Sequence, residues 1–440
     1  EKEQASEAVK EKVISDSAYT DANIYYCFRN TGNKVAEYED NFGFVESNGK
    51  IKPAYIAVSA IRQNLSGAVY LGAIDPALLG NSNIKMYVYA KEGKFTAVAW
   101  STNDTNLSLN GENVAVYDMY NNKISENVSD VTLASEPVYV MDLSPKWANI
   151  ALSAAITNRI NEACTQIGIE TDMFADILAN VNELSQKTDI VNVDSYIESA
   201  YGAVNTIMSS NCTDKQKSAA LYVAHQLGTI LFGYKMMTDT SGVDTIDESR
   251  LESVSAIVKA KEDAVIGGSL TYANSMLAIA RKYVDFAKDV KETQGISEYK
   301  NAIVSAYITI AEKILDMAES FAEIETITAD KLLIQVPVLE TPLETSSLAM
   351  YNSGTINVSV YNYGNVDINN GTLTLLNKNG NVMAAAVEFT CKAGETTVVN
   401  LSYNRGLKSQ LQSYTKGSYT QYYATAVVKE DGNEVKNTLI

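Results

Sequence analysis

Hydrophobic and polar positions change their period several times along the chain, and each change marks a different kind of structure. In the opening EKEQASEAVKEKVISDS, Ala5, Ala8, Val9 and Val13 share one helical face, with Lys and Glu opposite. NIYYCF (23–28) follows, short, aromatic and uncharged, the composition of a strand buried on both faces. A polar loop over 29–52 leads to KPAYIAVSAIRQNL, where Pro53 suits the first position of a helix because its missing N–H has no partner there anyway. From Ser66 to Ser144 the pattern turns to short alternating strands. IKMYVYAKEGKFTAVAWS reads as a hairpin turning at Gly93, ENVAVYDMYNN and EPVYVMDL supply two more strands, and LSPKW closes the segment.

Residues 146 to about 328 carry a helical period throughout. Ile303, Tyr307, Ile310, Ile314, Met317, Phe321 and Ile324 recur at steps of three and four, and so do Ala273, Met276, Ala280, Tyr283, Ala287 and Val290. Six or seven packed helices are expected there. The last 110 residues or so alternate again, with turn signals YGN, NNG, KNG and AGE about every ten residues and a closing hairpin in YYATAVVKEDGNEV, the pattern of an immunoglobulin-like sandwich. The expected organisation is multidomain α+β: 1–67, 68–145 an antiparallel β-domain, 146–330 an all-α helical bundle, and 331–440 an immunoglobulin-like β-sandwich.

Composition narrows the partners. The 440 residues are 46% hydrophobic and 20% charged, as in globular proteins, and the formal net charge is −18. A nucleic acid or an anionic membrane calls for a basic face, so neutral polysaccharide, protein or Ca²⁺ are better matched. No run reaches the roughly 20 apolar residues of a membrane span; the longest uncharged one, SAALYVAHQLGTILFGY, contains His225, Gln226 and Thr229. Cys27, Cys164, Cys212 and Cys391 lack metal-ligand spacing and read as buried free thiols, although Cys164 and Cys212 share the helical region and could meet. No cofactor or metal motif stands out. The many Asn, Thr and Tyr residues give the look of a secreted bacterial surface protein.

The first 145 residues carry a resemblance. The run Tyr26, Cys27, Phe28, Arg29, Asn30, then Glu39, Asp40, Asn41, Phe42, Gly43, Phe44, then Lys52, Pro53, Ala54, Tyr55 is similar to the end of the (β/α)8 barrel in retaining clan A glycoside hydrolases, as is the β-domain containing GKFTAVAWS and VAVYDMYNNKI. The resemblance implies that residues 1–67 are the last strand and helix of such a barrel. It implies further that the two catalytic carboxylates, which such enzymes hold about 5–5.5 Å apart, belong to earlier strands outside this chain, so no catalytic residue is assigned. Residues 1–67 are then expected to pack against an upstream segment or a separate chain that completes the barrel, or to fold poorly alone, because a parallel strand needs both neighbours. Tyr26, Arg29, Glu39, Asn41 and Phe42 are the candidate carbohydrate-binding residues, with aromatics to stack on sugar rings and polar groups to bond hydroxyls. The competing reading is that Tyr26 fills the barrel while Arg29 and Glu39 pair to hold the loop. The terminal domain, through VYNYGNVDINNGTLTLL and KAGETT, resembles adhesion-related immunoglobulin-like modules of bacterial surface proteins.

Three further stretches offer chemistry and a plainer reading beside it. His225 has no second ligand type near it and reads as a core or interface histidine. TDTSGVDTIDE (238–248) clusters acids without calcium-loop spacing and reads as an interhelical loop with an N-capping Asp. The tyrosines of SYTKGSYTQYYATAVV are either packing or a glycan surface. The chain is expected to be the C-terminal portion of a secreted, glycoside-hydrolase-like protein at the bacterial cell surface that binds or acts on polysaccharide. The alternative is a non-catalytic structural or adhesive protein with a degenerate barrel.

Overall fold

The computed structural model describes all residues except 19, 21–22, 33, 35, 38–39, 265–271, 294–297, 326–331, 336–353, 363–366, 378, 404–411, 417–418, 424, 435–436 and 440. It is a mixed α+β structure of helices and several antiparallel sheets. By contacts the chain divides into two units, one of residues 1–254 with 282–314, the other of 255–281 with 315–440.

In the first unit, α1 (Lys2–Ser17) and α2 (Pro53–Leu65) precede eight strands: β1 (Val69–Ala73), β2 (Ile84–Lys91), β3 (Lys94–Ser101), β4 (Thr105–Ser108), β5 (Val114–Asp118), β6 (Lys123–Val128), β7 (Asp130–Leu133) and β8 (Val138–Leu143). Six of them form a sheet in the order β1-β2-β3-β8-β5-β6, while β4 pairs with β7. The β2–β3 hairpin turns on Glu92 and Gly93, both at positive φ (47° and 75°), the geometry that matches strand twist in a two-residue turn. Ala5, Val9 and Val13 of α1 and Ala54, Ala57, Ile61 and Leu65 of α2 share a core with Tyr89, Val98, Trp100 and Tyr139 of the sheet. The apolar faces of both helices are thus covered by this chain's own β-sheet, an arrangement the sequence reading did not anticipate.

The other sheet face is covered as well. Side chains alternate across a strand, so Met86, Val88, Phe95, Ala97 and Ala99 turn away from α1 and α2, and all five are buried. Against β1 and β2 lie α3 (Pro145–Ile167) and, after α4 (Ala175–Leu184) and α5 (Asp194–Ser209), α6 (Asp214–Thr238). Gly72 makes this possible: a Cβ there would stand 2.1 Å from the Ala151 carbonyl oxygen, so only glycine lets α3 approach β1. Burial on both faces explains why β3 is buried nearly without interruption where simple alternation predicts half.

Three more helices follow: α7 (Glu248–Ala264), α8 (Tyr272–Glu292) and α9 (Lys300–Glu325). The seam positions Ile310, Ile314, Met317 and Phe321 are buried, but so are Val304, Ile308, Ala311 and Leu315, so α9 is buried over more of its circumference than one seam requires. Ile324 lies outside the described side chains.

The second unit contains β9 (Leu332–Gln335), β10 (Gly354–Asn362), β11 (Ile368–Leu376), β12 (Val382–Cys391), β13 (Thr396–Tyr403), β14 (Gln412–Lys416), β15 (Tyr419–Tyr423), β16 (Thr425–Glu430), β17 (Asn433–Glu434) and β18 (Asn437–Leu439). Eight of these form one sheet, ordered β17-β16-β11-β12-β13-β10-β9-β18, and β14 pairs with β15. Its core gathers Val358, Val360, Leu373, Leu375, Phe389, Val399, Leu401 and Val428. Asn379 and Gly380 of the KNG signal and the AGE signal fall at turns, with Gly380 and Gly394 at φ 77° and 70°. NNG does not: Asn369–Gly371 lies inside β11, at a shift in register against β12, with Phe389 ring atoms 2.8 Å from where a Cβ of Gly371 would stand. YGN lies outside the described residues.

Candidate functional site

Residues 23–30 do not form a regular strand. They are extended and carry a single parallel bridge between Arg29 and Val45. Alternation is nonetheless present: Ile24, Tyr26 and Phe28 are 86%, 66% and 65% exposed, while Tyr25 and Cys27 between them are half-buried. The Tyr25 hydroxyl donates to the Ala8 carbonyl at 2.9 Å and its ring meets Phe44 edge-on, so the inward side faces α1. Burial pushes the Tyr25 phenol up to about 12, keeping it a neutral donor.

The outward side is aromatic. Tyr26 meets Phe42 at 6.3 Å between ring centroids and Phe28 meets Tyr55 at 6.2 Å, both edge to face. Ile51 and Ile56 are exposed too.

The loop that presents Phe42 is tied down along its backbone. Gly43 N donates to the buried Asn30 Oδ1 at 2.8 Å, and Asn30 N donates to Val45 O at 2.8 Å. Phe44 N donates to Phe28 O, and Lys52 N to Phe44 O, each at 3.0 Å. Gln4 Nε2 donates to Phe42 O at 3.0 Å, and Lys52 Nζ to Asn41 O at 2.6 Å. Gly43 is required, because a Cβ would stand 2.3 Å from Asn30 N.

The five candidates of the sequence reading therefore divide. Tyr26 and Phe42 come together as an exposed aromatic pair. Arg29 and Asn41 hold the loop: the Arg29 guanidinium donates to the Ser47 carbonyl, and Asn41 Nδ2 donates to the carbonyls of Lys34 and Glu37 at 3.0 and 2.7 Å. Glu39, and with it the suggested pairing to Arg29, lies outside the described residues. Acidic neighbours are engaged as well. Asp40 accepts from Lys34 N at 3.1 Å, and Glu46 pairs with Lys50 at 3.1 Å, whose hydrogen bond draws its carboxyl below the usual range. Sequence reasoning missed Gln4, and took Asn30 and Lys52 only as parts of motifs. The hydrogen-bonded loop-and-helix junction around Asn30 and Lys52 emerges only when α1, α2 and the loop meet.

The remaining candidates take structural places. His225 is buried between the rings of Tyr222 and Tyr283, at 6.3 and 6.4 Å, and no group of three or more metal-ligating side chains occurs among the described residues. Asp239 accepts from Ser241 N and Oγ at 2.9 and 2.5 Å, and Asp247 accepts from Arg250 N at 3.0 Å at the start of α7. Side chains of the tyrosine-rich β14–β15 segment lie outside the described ones. All four cysteines are free, Cys164 and Cys391 buried and Cys27 and Cys212 only half-buried. No helix among the described residues is long and apolar enough to cross a membrane.

No family model matches the chain, and no curated protein does. One solved structure, described as a family 39 glycoside hydrolase from the gut symbiont Bacteroides cellulosilyticus WH2, is similar at 20% identity and a TM-score of 0.28. The match covers 32% of this chain and 30% of that one, so the chain spans less than a third of the matched structure's length. The chain thus has a weak structural similarity to a glycoside hydrolase. At that TM-score the likeness assigns neither a fold nor an activity.

Proposed function

We propose that the Tyr26–Phe42 pair is a saccharide platform and that the chain is part of a secreted, glycoside-hydrolase-like protein of the bacterial surface that binds polysaccharide. The observation that carries this reading is the pairing of two exposed aromatic rings, Tyr26 on the extended segment and Phe42 on a loop whose backbone is bonded at nearly every residue from 41 to 45. Exposed aromatics cost free energy in water, and a ring held in place loses little entropy when a flat apolar sugar face covers it. Arg29 and Asn41 support the loop, and hydroxyl recognition falls to groups at its rim. In this reading residues 1–67 are the end of a barrel, and the eight-stranded sheet with its hairpin is an immunoglobulin-like module that positions the protein.

Binding is the role of this chain's own residues. Hydrolysis with retention needs two carboxylates about 5–5.5 Å apart, whereas Asp40 and Glu46 are engaged within the loop. That engagement favours the second reading, a structural or adhesive surface protein, over catalysis by this chain.

Affinity electrophoresis through gels containing soluble neutral β-linked polysaccharides tests the proposal. Retardation is expected, with Tyr26→Ala and Phe42→Ala each weakening it about tenfold, the loss of roughly 1.4 kcal/mol of ring contact. Unchanged mobility in both variants would overturn the platform. Release of reducing ends by the intact protein would separate a hydrolase from an adhesive one.

A further inference from the structure

We infer that Lys52 is a positioning residue: its buried ammonium holds the Phe42 loop in the conformation that presents the aromatic pair. This rests on the platform reading for its purpose, although the loop effect is measurable without it. Lys52 is only 5% exposed. Its Nζ donates to the Asn41 carbonyl at 2.6 Å and reaches Gln4 Oε1 at 3.4 Å. Both acceptors are neutral, and Glu46, whose carboxylate feels the Lys52 charge, makes its ion pair with Lys50. A buried lysine usually bonds a carboxylate directly, because removing an ammonium from water is costly, whereas here the ammonium bonds a carbonyl and an amide oxygen. For stability alone an apolar side chain of the same length would serve as well or better.

What the ammonium supplies is direction. Lys52 precedes Pro53 at the start of α2, and its extended backbone (φ −88°, ψ 160°) sends the chain into the helix while its own N–H bonds the Phe44 carbonyl. The side chain then returns to the far end of the same loop, at Asn41. Lys52 thus grips the loop on both sides of Phe42, three residues apart. Gln4 closes the arrangement from α1, accepting from Lys52 and donating through Nε2 to the Phe42 and Gly43 carbonyls at 3.0 and 3.4 Å. A charge-assisted bond to a carbonyl is stronger and more directional than a neutral one, which suits a group that must fix a loop bearing an exposed ring.

The experiment compares Lys52→Met, which keeps the stem and deletes the ammonium, and Lys52→Arg with the unaltered chain. Thermal unfolding reports global stability, and hydrogen exchange at the Gly43 and Phe44 amides reports the loop. The expected result for Lys52→Met is at least tenfold faster exchange at those two amides with an unchanged or higher Tm, and Lys52→Arg restoring part of the protection. A lowered Tm with faster exchange across α1 and α2, or unchanged exchange at Gly43 and Phe44, would overturn the inference. Where polysaccharide retards the unaltered chain, Lys52→Met should weaken retardation as much as Phe42→Ala. Normal retardation by Lys52→Met with loss in Phe42→Ala defeats the positioning role alone, and normal retardation in Tyr26→Ala and Phe42→Ala defeats the platform alone.

Discussion

A single side chain can make stability depend on pH, and His225 is placed to do so. Burial lowers its imidazole from the ordinary 6.5 to about 4 by disfavouring the charged form: the rings of Tyr222 and Tyr283 lie against it, and among the described residues Nδ1 has no hydrogen-bond partner. The unfolded chain therefore takes up the proton more readily than the folded one. Stability contributed by the neutral ring is complete above pH 6.5 and is lost as pH falls from 6.5 towards 4. The loss reaches at most about 3 kcal/mol. Denaturant titration near pH 7 and near pH 4 should show this decline in the unaltered protein and a distinctly smaller one in His225→Phe. An equal decline in both would assign the pH dependence to other groups.

Among the elements, the junction between β8 and α3 is held by one carboxylate. Glu112, in the turn before β5, accepts from Ser144 N at 2.8 Å, Ser144 Oγ at 2.6 Å and Trp147 Nε1 at 3.0 Å. Ser144 thus leaves its usual role of capping its own helix and is itself capped from outside. Glu112→Ala removes all three bonds and strands the indole N–H of the buried Trp147, so it should cost about 2 kcal/mol, read from the unfolding midpoint. The change to a helical period from residue 146 made this helix legible in the sequence, as Gly93 did the β2–β3 hairpin and the 5-8-9-13 spacing did the buried face of α1. Those signals are local. The partner of Ser144 lies 32 residues away, and no local pattern points to it. Residues 24–28 show the same limit: their uncharged aromatic run predicted a strand buried on both faces, yet Ile24, Tyr26 and Phe28 are exposed, because a strand is defined by its neighbours and here only Arg29 bridges to Val45. The burial of Lys52 was not legible, since it is created by three segments meeting.

For the molecule as a whole, charge and chain order set the behaviour. A net charge of −18 repels itself, and the repulsion is long-ranged when salt is scarce. Screening shortens from about 30 Å at roughly 0.01 M salt to about 8 Å at roughly 0.15 M. Tm should therefore rise over that interval of NaCl, and a falling Tm would mean that attractive ion pairs such as Lys2–Glu136 outweigh the net repulsion. Chain order matters through α1. It rests on Tyr89, which donates to Asp16 at 3.0 Å, and on the turn before β8, where Ser6 bonds the Ser135 carbonyl 129 residues later. On a ribosome adding about 5–20 residues per second, α1 must wait roughly 6–26 s for that turn to be made. During that interval Ala5, Val9 and Val13 have no sheet to cover them, so this apolar stripe stands open to any chaperone that binds such stripes.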